Sequence, residues 1–413
     1  MTVSKLSTKP GGFLNNNINT LIVALTIIYS GSLYYSTFYL KSLTANFYLI
    51  PLLIILFMIC LNRGITYSRI NILFLLLTLM IVVKGSDVDY LKTPAVYCAV
   101  ILSAFLIVSI ISFEQFSEKY LRIVLILSVL SWLAIPFTYF QIYSILPNFI
   151  SADVRFEYEN YIFFAIQKFN IDAVPTAGIS VLRSNGGIFW EPGAWQIFVN
   201  TGFILGMANR LITYRRYLII LLTNLSIAST TGLIVFLLLS IVIFASDHIQ
   251  TKGKIALYFL LIISIVAVLS LNFFADSVLK LIPGTSAHGS FITRLDDNML
   301  DLNVFLEHLF NGVGIGNMGA RQFYSDLTGI RLASGSDGLM KFISEVGILG
   351  FVVIKPIIFP TYLNKYRIWQ RLIFCFCFVL MFNTEGMMPY LLPWIIAFYG
   401  LKKVRINNGL LSR

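Results

Sequence analysis

The chain is a succession of apolar runs, most close to the length that crosses a hydrocarbon core of roughly 30 Å, divided by short charged stretches. Few folds accept that pattern. Soluble domains carry about 25% charged residues, whereas only 12% of these 413 residues are charged and 58% are hydrophobic, with mean hydropathy +0.83. The runs are too long and too little alternating for transmembrane strands. Collagen repeats, heptads, charge blocks and dense cysteine are also missing. The expected class is therefore an all-α polytopic integral membrane protein, with residues 1–413 forming a single membrane domain.

Spans are expected at roughly 19–40, 46–62, 68–83, 94–112, 121–141, 192–208, 254–272 and 340–360. Two further stretches are too long for one helix. Asn224, Ser226 and Ser229-Thr230-Thr231-Gly232 interrupt 215–247, which divides into 215–228 and 231–247. Asn383-Thr384-Glu385-Gly386 and Pro389 break 370–402 into a hairpin of two short helices. The total is about twelve spans. The polar start carries Lys5 and Lys9, and the first run is long enough to remain in the membrane as a signal anchor.

A formal charge of +11 would suggest nucleic acid in a soluble protein. With an inner amino terminus, however, Lys and Arg gather in every inner loop, while acidic residues outnumber basic ones on the outer side. The excess therefore reads as positive-inside topology with both termini cytoplasmic, and no nucleic-acid partner is expected. Lys355 lies near the inner end of its helix, where its ammonium can snorkel. Cys60, Cys98, Cys375 and Cys377 sit inside apolar runs without zinc spacing and read as small core side chains.

Two outer connections are long, 142–191 and 271–339, and long loops in compact proteins are usually functional. Short helices are expected in them. Asp296 to Phe310 places Leu302, Phe305, Leu306 and Leu309 on one face of an amphipathic helix lying against the bundle or the interface. The first loop ends in Arg183-Ser-Asn-Gly-Gly-Ile-Phe-Trp-Glu191-Pro-Gly, with Pro192 suited to a helix start. Glu191 can serve as a cap and Trp190 as an interfacial anchor. Alternatively Arg183 and Glu191 grip phosphate and hydroxyl groups at the bundle mouth.

In the second loop, Gly312-Val-Gly314-Ile-Gly316-Asn-Met-Gly319 formally contains G-x-G-x-x-G, but without the strand of a βαβ unit it implies no dinucleotide fold. Gly314 and Gly316 permit either a tight turn or backbone N–H groups aimed at a phosphate. Arg294, Arg321 and Arg331 share this loop with Asp337 and with His288 and His308, which have no paired spacing. These side chains are either solvated surface groups or substrate contacts. Glu345, inside the tenth span, costs roughly 2.5–3.5 kcal/mol if unpaired and is a functional candidate or the partner of a loop arginine.

Arg183 through Pro192, Gly312 to Gly319 downstream of Arg294, and the Glu345-Val-Gly347 helix together resemble the superfamily of Wzy-type O-antigen polymerases and O-antigen ligases. The resemblance implies a bacterial inner-membrane enzyme of lipopolysaccharide biosynthesis with two periplasmic loops bearing functional arginines. It also implies glycosyl transfer without a metal or other cofactor from an undecaprenyl-diphosphate-linked oligosaccharide. A chain-length regulator is a possible partner on the same grounds. The ligases carry a Ser-Arg-Gly element where this chain has Ser229-Thr230-Thr231-Gly232, and a His-Asn pair where it has Ser336-Asp337-Gly338. Both departures favour polymerase over ligase, and nearly charge-free spans disfavour a flippase or other transporter.

On that reading Arg183 and Arg294 stabilise the departing diphosphate, and Glu191 and Glu345 compete for the role of base. Arg321, Arg331, Trp190, Gly314, Gly316, Asp337 and His288 are the candidate substrate contacts.

Overall fold

The structure, a computed structural model, describes residues 12–30, 49–63, 68–84, 92–139, 158–161, 164–168, 183–189, 192–227, 229–246, 286–330 and 338–402. It is mostly helical. The helices are α1 (Gly12–Ile28), α2 (Leu49–Arg63), α3 (Arg69–Lys84), α4 (Lys92–Ile110) and α5 (Phe113–Tyr139). They continue as α6 (Pro192–Ala208), α7 (Tyr214–Ile227), α8 (Thr230–Phe244), α9 (Ser286–Glu307) and α10 (Met318–Thr328). The last four are α11 (Leu339–Val346), α12 (Leu349–Ile358), α13 (Ile368–Thr384) and α14 (Leu391–Leu401).

Two helices that are apolar on every side form the centres of the packing, as expected of segments without a solvent-facing stripe. α6 is buried along almost its whole length between α5, α7 and α8. α14 is buried from Leu391 to Gly400 against α4, α12, α3 and α1. α13 touches both groups, packing on α8 and α6 as well as on α11 and α12. Aromatic contacts tie the layers together: Trp394 meets Tyr97 and Phe342 edge-on, and Phe198 stacks on Phe189 with centroids 4.2 Å apart.

The expected division of 215–247 is present. Ser229 is the N-cap of α8, its hydroxyl accepting from the Gly232 N–H. The break in 370–402 is present too and gives α13 and α14, but these helices pack chiefly against other helices rather than on each other as the expected hairpin. Among the described residues one helix passes the length and hydropathy test for crossing a membrane, through its window Thr93–Ile110 of mean hydropathy 2.2. Other apolar helices are shorter, including Thr230–Phe244 and Ile368–Thr384. The expected span at 254–272 lies outside the described residues.

Three expectations need correction. The tenth span is not one helix: Gly347, at φ +74°, ends α11, and α12 starts two residues later. A Cβ at Gly347 would crowd the Gly312 nitrogen and the Phe310 carbonyl, so this turn depends on glycine. The first long loop holds strands where short helices were expected. β1 (Tyr158–Tyr161), β2 (Phe164–Lys168) and β3 (Arg183–Gly187) form an antiparallel sheet in the order β1-β2-β3, with Lys168 opposite Arg183.

The third concerns the amphipathic helix expected against the bundle or the interface, which exists as part of α9 but whose named residues divide between its buried and exposed sides. Asp297, Leu300, Asp301, Val304 and Phe305 face inward, whereas Leu302 and Leu306 are exposed and Leu309 is half-buried.

Candidate functional site

α9 carries Arg294, Asn298 and Asp301 along one stripe, since residues three and four apart share a helix face. Arg294 reaches the end of α13, where its Nη2 lies 3.3 Å from Glu385 Oε1. The two side chains differ in access, 38% exposed for Arg294 and 8% for Glu385. One turn further along α9, Asn298 accepts from Asn383 Nδ2 at 2.9 Å and donates back to the Arg294 carbonyl at 2.7 Å. Asn383 Oδ1 in turn receives the Met340 N–H at the start of α11. Arg294 is thus fixed from its backbone outward while part of its guanidinium stays open.

Glu385 is the C-cap of α13, extended at φ −138° and ψ 139°, and lies where four elements meet. A Cβ on Gly193 in the first turn of α6 would collide with Glu385 Oε1. One on Gly338, the N-cap of α11, would strike the Phe382 and Glu385 carbonyls. The carboxylate therefore sits between a guanidinium and the positive end of α6, both favourable to negative charge. An anion arriving at the open side of Arg294 would meet a cation that is already oriented.

A second cluster lies deeper. Arg321, at 1% exposure, pairs with Asp301 through Nε–Oδ1 at 2.8 Å and Nη2–Oδ2 at 3.0 Å, and Asp297 is 3.7 Å away. Ser344 on α11 donates to the same Asp301 at 3.3 Å. The glycine segment docks beside it: Gly314 N–H donates to the Glu345 carbonyl at 2.8 Å, and Gly316 N–H to Glu345 Oε1 at 3.1 Å. Val313 N–H bonds the Ser344 carbonyl at 3.2 Å. The amides offered to a phosphate in the sequence reading are thus engaged by Glu345, and Arg321 is enclosed rather than presented. Both form a clasp holding α9, α10 and α11 together.

β3 rests on the other helical group. Asn185 Nδ2 donates to Ser131 Oγ at 2.7 Å and Ser226 Oγ at 3.1 Å, pinning the strand to α5 and α7. Gly187, at φ +58°, lies so close to the Trp195 ring that a Cβ would clash with it. Below, Gln196, Asn200 and Asn224 join α6 to α7, and Asn200 also reaches the Gly232 carbonyl of α8 at 3.2 Å. Arg183 begins β3 and His288 lies in the first turn of α9. Trp190, Glu191, Arg331 and Asp337 lie outside the described residues.

Of the nominated residues, the structure brings Glu345, Gly314, Gly316 and Arg321 into one clasp and gives Arg294 a partner the sequence reading overlooked. Glu385 had been read only as part of a helix break. Its signal was the same as that of Glu345, a carboxylate inside an otherwise apolar run. Among the described residues no group of three His, Cys, Asp or Glu side chains could hold a metal ion. Comparison with protein-family models, curated proteins and solved structures gives no match.

Proposed function

We propose that this chain is a polytopic inner-membrane glycosyltransferase that polymerises undecaprenyl-diphosphate-linked oligosaccharide repeat units on the periplasmic face. The observation that carries the reading is the Arg294–Glu385 pair, an accessible guanidinium held against a nearly buried carboxylate at the ends of α6, α11 and α13. Large apolar side chains exposed along α2 and α3, among them Ile54, Phe57, Leu61, Leu73 and Met80, support a lipid environment and the twelve-span arrangement.

In this reaction an acceptor sugar hydroxyl attacks the anomeric carbon of the lipid-linked donor. A new C–O bond forms as the bond to the diphosphate breaks, and the hydroxyl proton passes to a base. The leaving diphosphate gains negative charge, which Arg294 stabilises with a fork that binds two phosphate oxygens at once. Arg183, at the head of β3, is the second cation of the proposal. Glu385 orients Arg294, and the proton passes to Glu191 or to Glu345, the latter on releasing the Gly316 amide.

A deletion strain separates this reading from its alternatives. Surface glycan should collapse to a single repeat unit on the outer acceptor, and Arg294→Ala should fail to restore the ladder although Arg294→Lys restores part of it. Long polymer accumulating on undecaprenyl diphosphate would indicate a ligase and reject the assignment. Lipid-linked units trapped on the cytoplasmic face would indicate a flippase.

A further inference from the structure

A groove of about 340 Å³ runs between α3, α12 and the end of α14, at the small end of the range for ligand clefts. Its walls are apolar, formed by Ile70, Leu73 and Leu77 on one side and Val352 and Phe359 on the other. Leu73 is 66% exposed, so the groove lies open along the outside of the bundle. Its floor forms because Gly400 lets α14 approach the Pro356 carbonyl at a distance no other side chain would permit.

One cation faces this groove. Lys355, in the last turn of α12, is exposed and has no hydrogen bond or ion pair among the described residues. Arg69, also exposed, precedes the lining residue Ile70 but does not itself line the groove. Lys402 follows Leu401 there, but its ammonium is used by the Val108 carbonyl and has Glu114 nearby. The groove therefore joins a strip that favours hydrocarbon, Leu73, Leu77 and Val352, to one cation that favours an anion, on the half of α12 read as lying toward the cytoplasmic leaflet. A lysine that only snorkelled would need no groove beside it.

We propose that this groove binds an anionic phospholipid of the cytoplasmic leaflet, with the phosphate on Lys355 and one acyl chain running from it along Leu73, Leu77 and Val352. The inference rests on the membrane reading but not on glycan transfer. The occupant is set by charge complementarity: a zwitterionic headgroup brings its own ammonium to Lys355, whereas an anionic one does not.

Native mass spectrometry of the full chain in detergent, with phosphatidylglycerol and phosphatidylcholine as probes, tests it. Phosphatidylglycerol should be retained preferentially. Lys355→Ala should weaken retention about fivefold, the equivalent of the roughly 1 kcal/mol that one lysine contributes at an anionic surface. Lys355→Arg should keep it, Leu73→Trp should lose it by filling the groove without changing charge, and Arg215→Ala at another inner loop should leave it unchanged. Equal retention of both lipids, no effect of Lys355→Ala and Leu73→Trp, or displacement by glycerol phosphate at matching concentration would each overturn the site. A chain that stays soluble without detergent would overturn the membrane reading together with this site. A detergent-dependent chain lacking lipid selectivity would overturn the site alone.

Discussion

Two residues that resemble each other on paper, Arg294 and Arg321, are set apart by what surrounds them. Arg321 is enclosed with two carboxylates, so Arg321→Met should destabilise the protein by about 3–5 kcal/mol, because Asp297 and Asp301 would stay buried without their counter-ion. Thermal unfolding in detergent measures this, and a change under about 1 kcal/mol would place the pair in solvent instead. Gly193 offers the complementary test. A methyl group there would overlap the Glu385 carboxylate, so Gly193→Ala should displace it from Arg294 without removing either charge. Glycan elongation by Gly193→Ala should then fall as it does in Glu385→Gln. Normal elongation would separate Glu385 from function.

At the scale of elements, the connection between α12 and α13 closes a helix end elsewhere in the chain. Lys365 Nζ donates to the Ala208 carbonyl and Tyr366 Oη to the Met207 carbonyl, satisfying acceptors that the C-terminus of α6 leaves open. Burial and, second, the nearby Arg210 push the Lys365 ammonium down from 10.5 to about 8. Between those values the unfolded chain binds more protons than the folded one, so this group makes stability rise as pH increases from about 8 to 10.5. Comparing wild type with Lys365→Met across that window isolates the contribution. The wild type should gain stability relative to the variant as pH rises, and a parallel course would show that Lys365 is solvated.

At the scale of the whole molecule, on the proposed membrane reading, the division of 215–247 would decide on which side each later element lies. Ser229 caps α8 after the break, and α7 and α8 pack on each other and on α6, as a hairpin requires. Reporter fusions near Asn160 and Asp326 should therefore both report the periplasm. A cytoplasmic signal at Asp326 would invert the chain beyond residue 247 and move Arg294 to the other face.

Among the described residues, helix existence was legible in the sequence where apolar runs were long or a breaker interrupted them, because backbone satisfaction and burial are local demands that Pro192, Ser229 and Asn383-Thr384-Glu385-Gly386 express directly. The charged candidates were legible as residue types, since a carboxylate in an apolar run is costly wherever it stands. Which of them meet was decided only by tertiary structure. Arg294 lies 91 positions from Glu385, and Gly312 to Gly316 dock on Glu345 across an intervening helix. Pairings at such separation depend on how helices are packed, and the orientation of α9 shows why periodicity cannot supply them. Its apolar positions fall on both sides, Leu300, Val304 and Phe305 inside and Leu302 and Leu306 outside, and the buried side also carries Asp297 and Asp301, whose pairing with Arg321 no apolar period encodes.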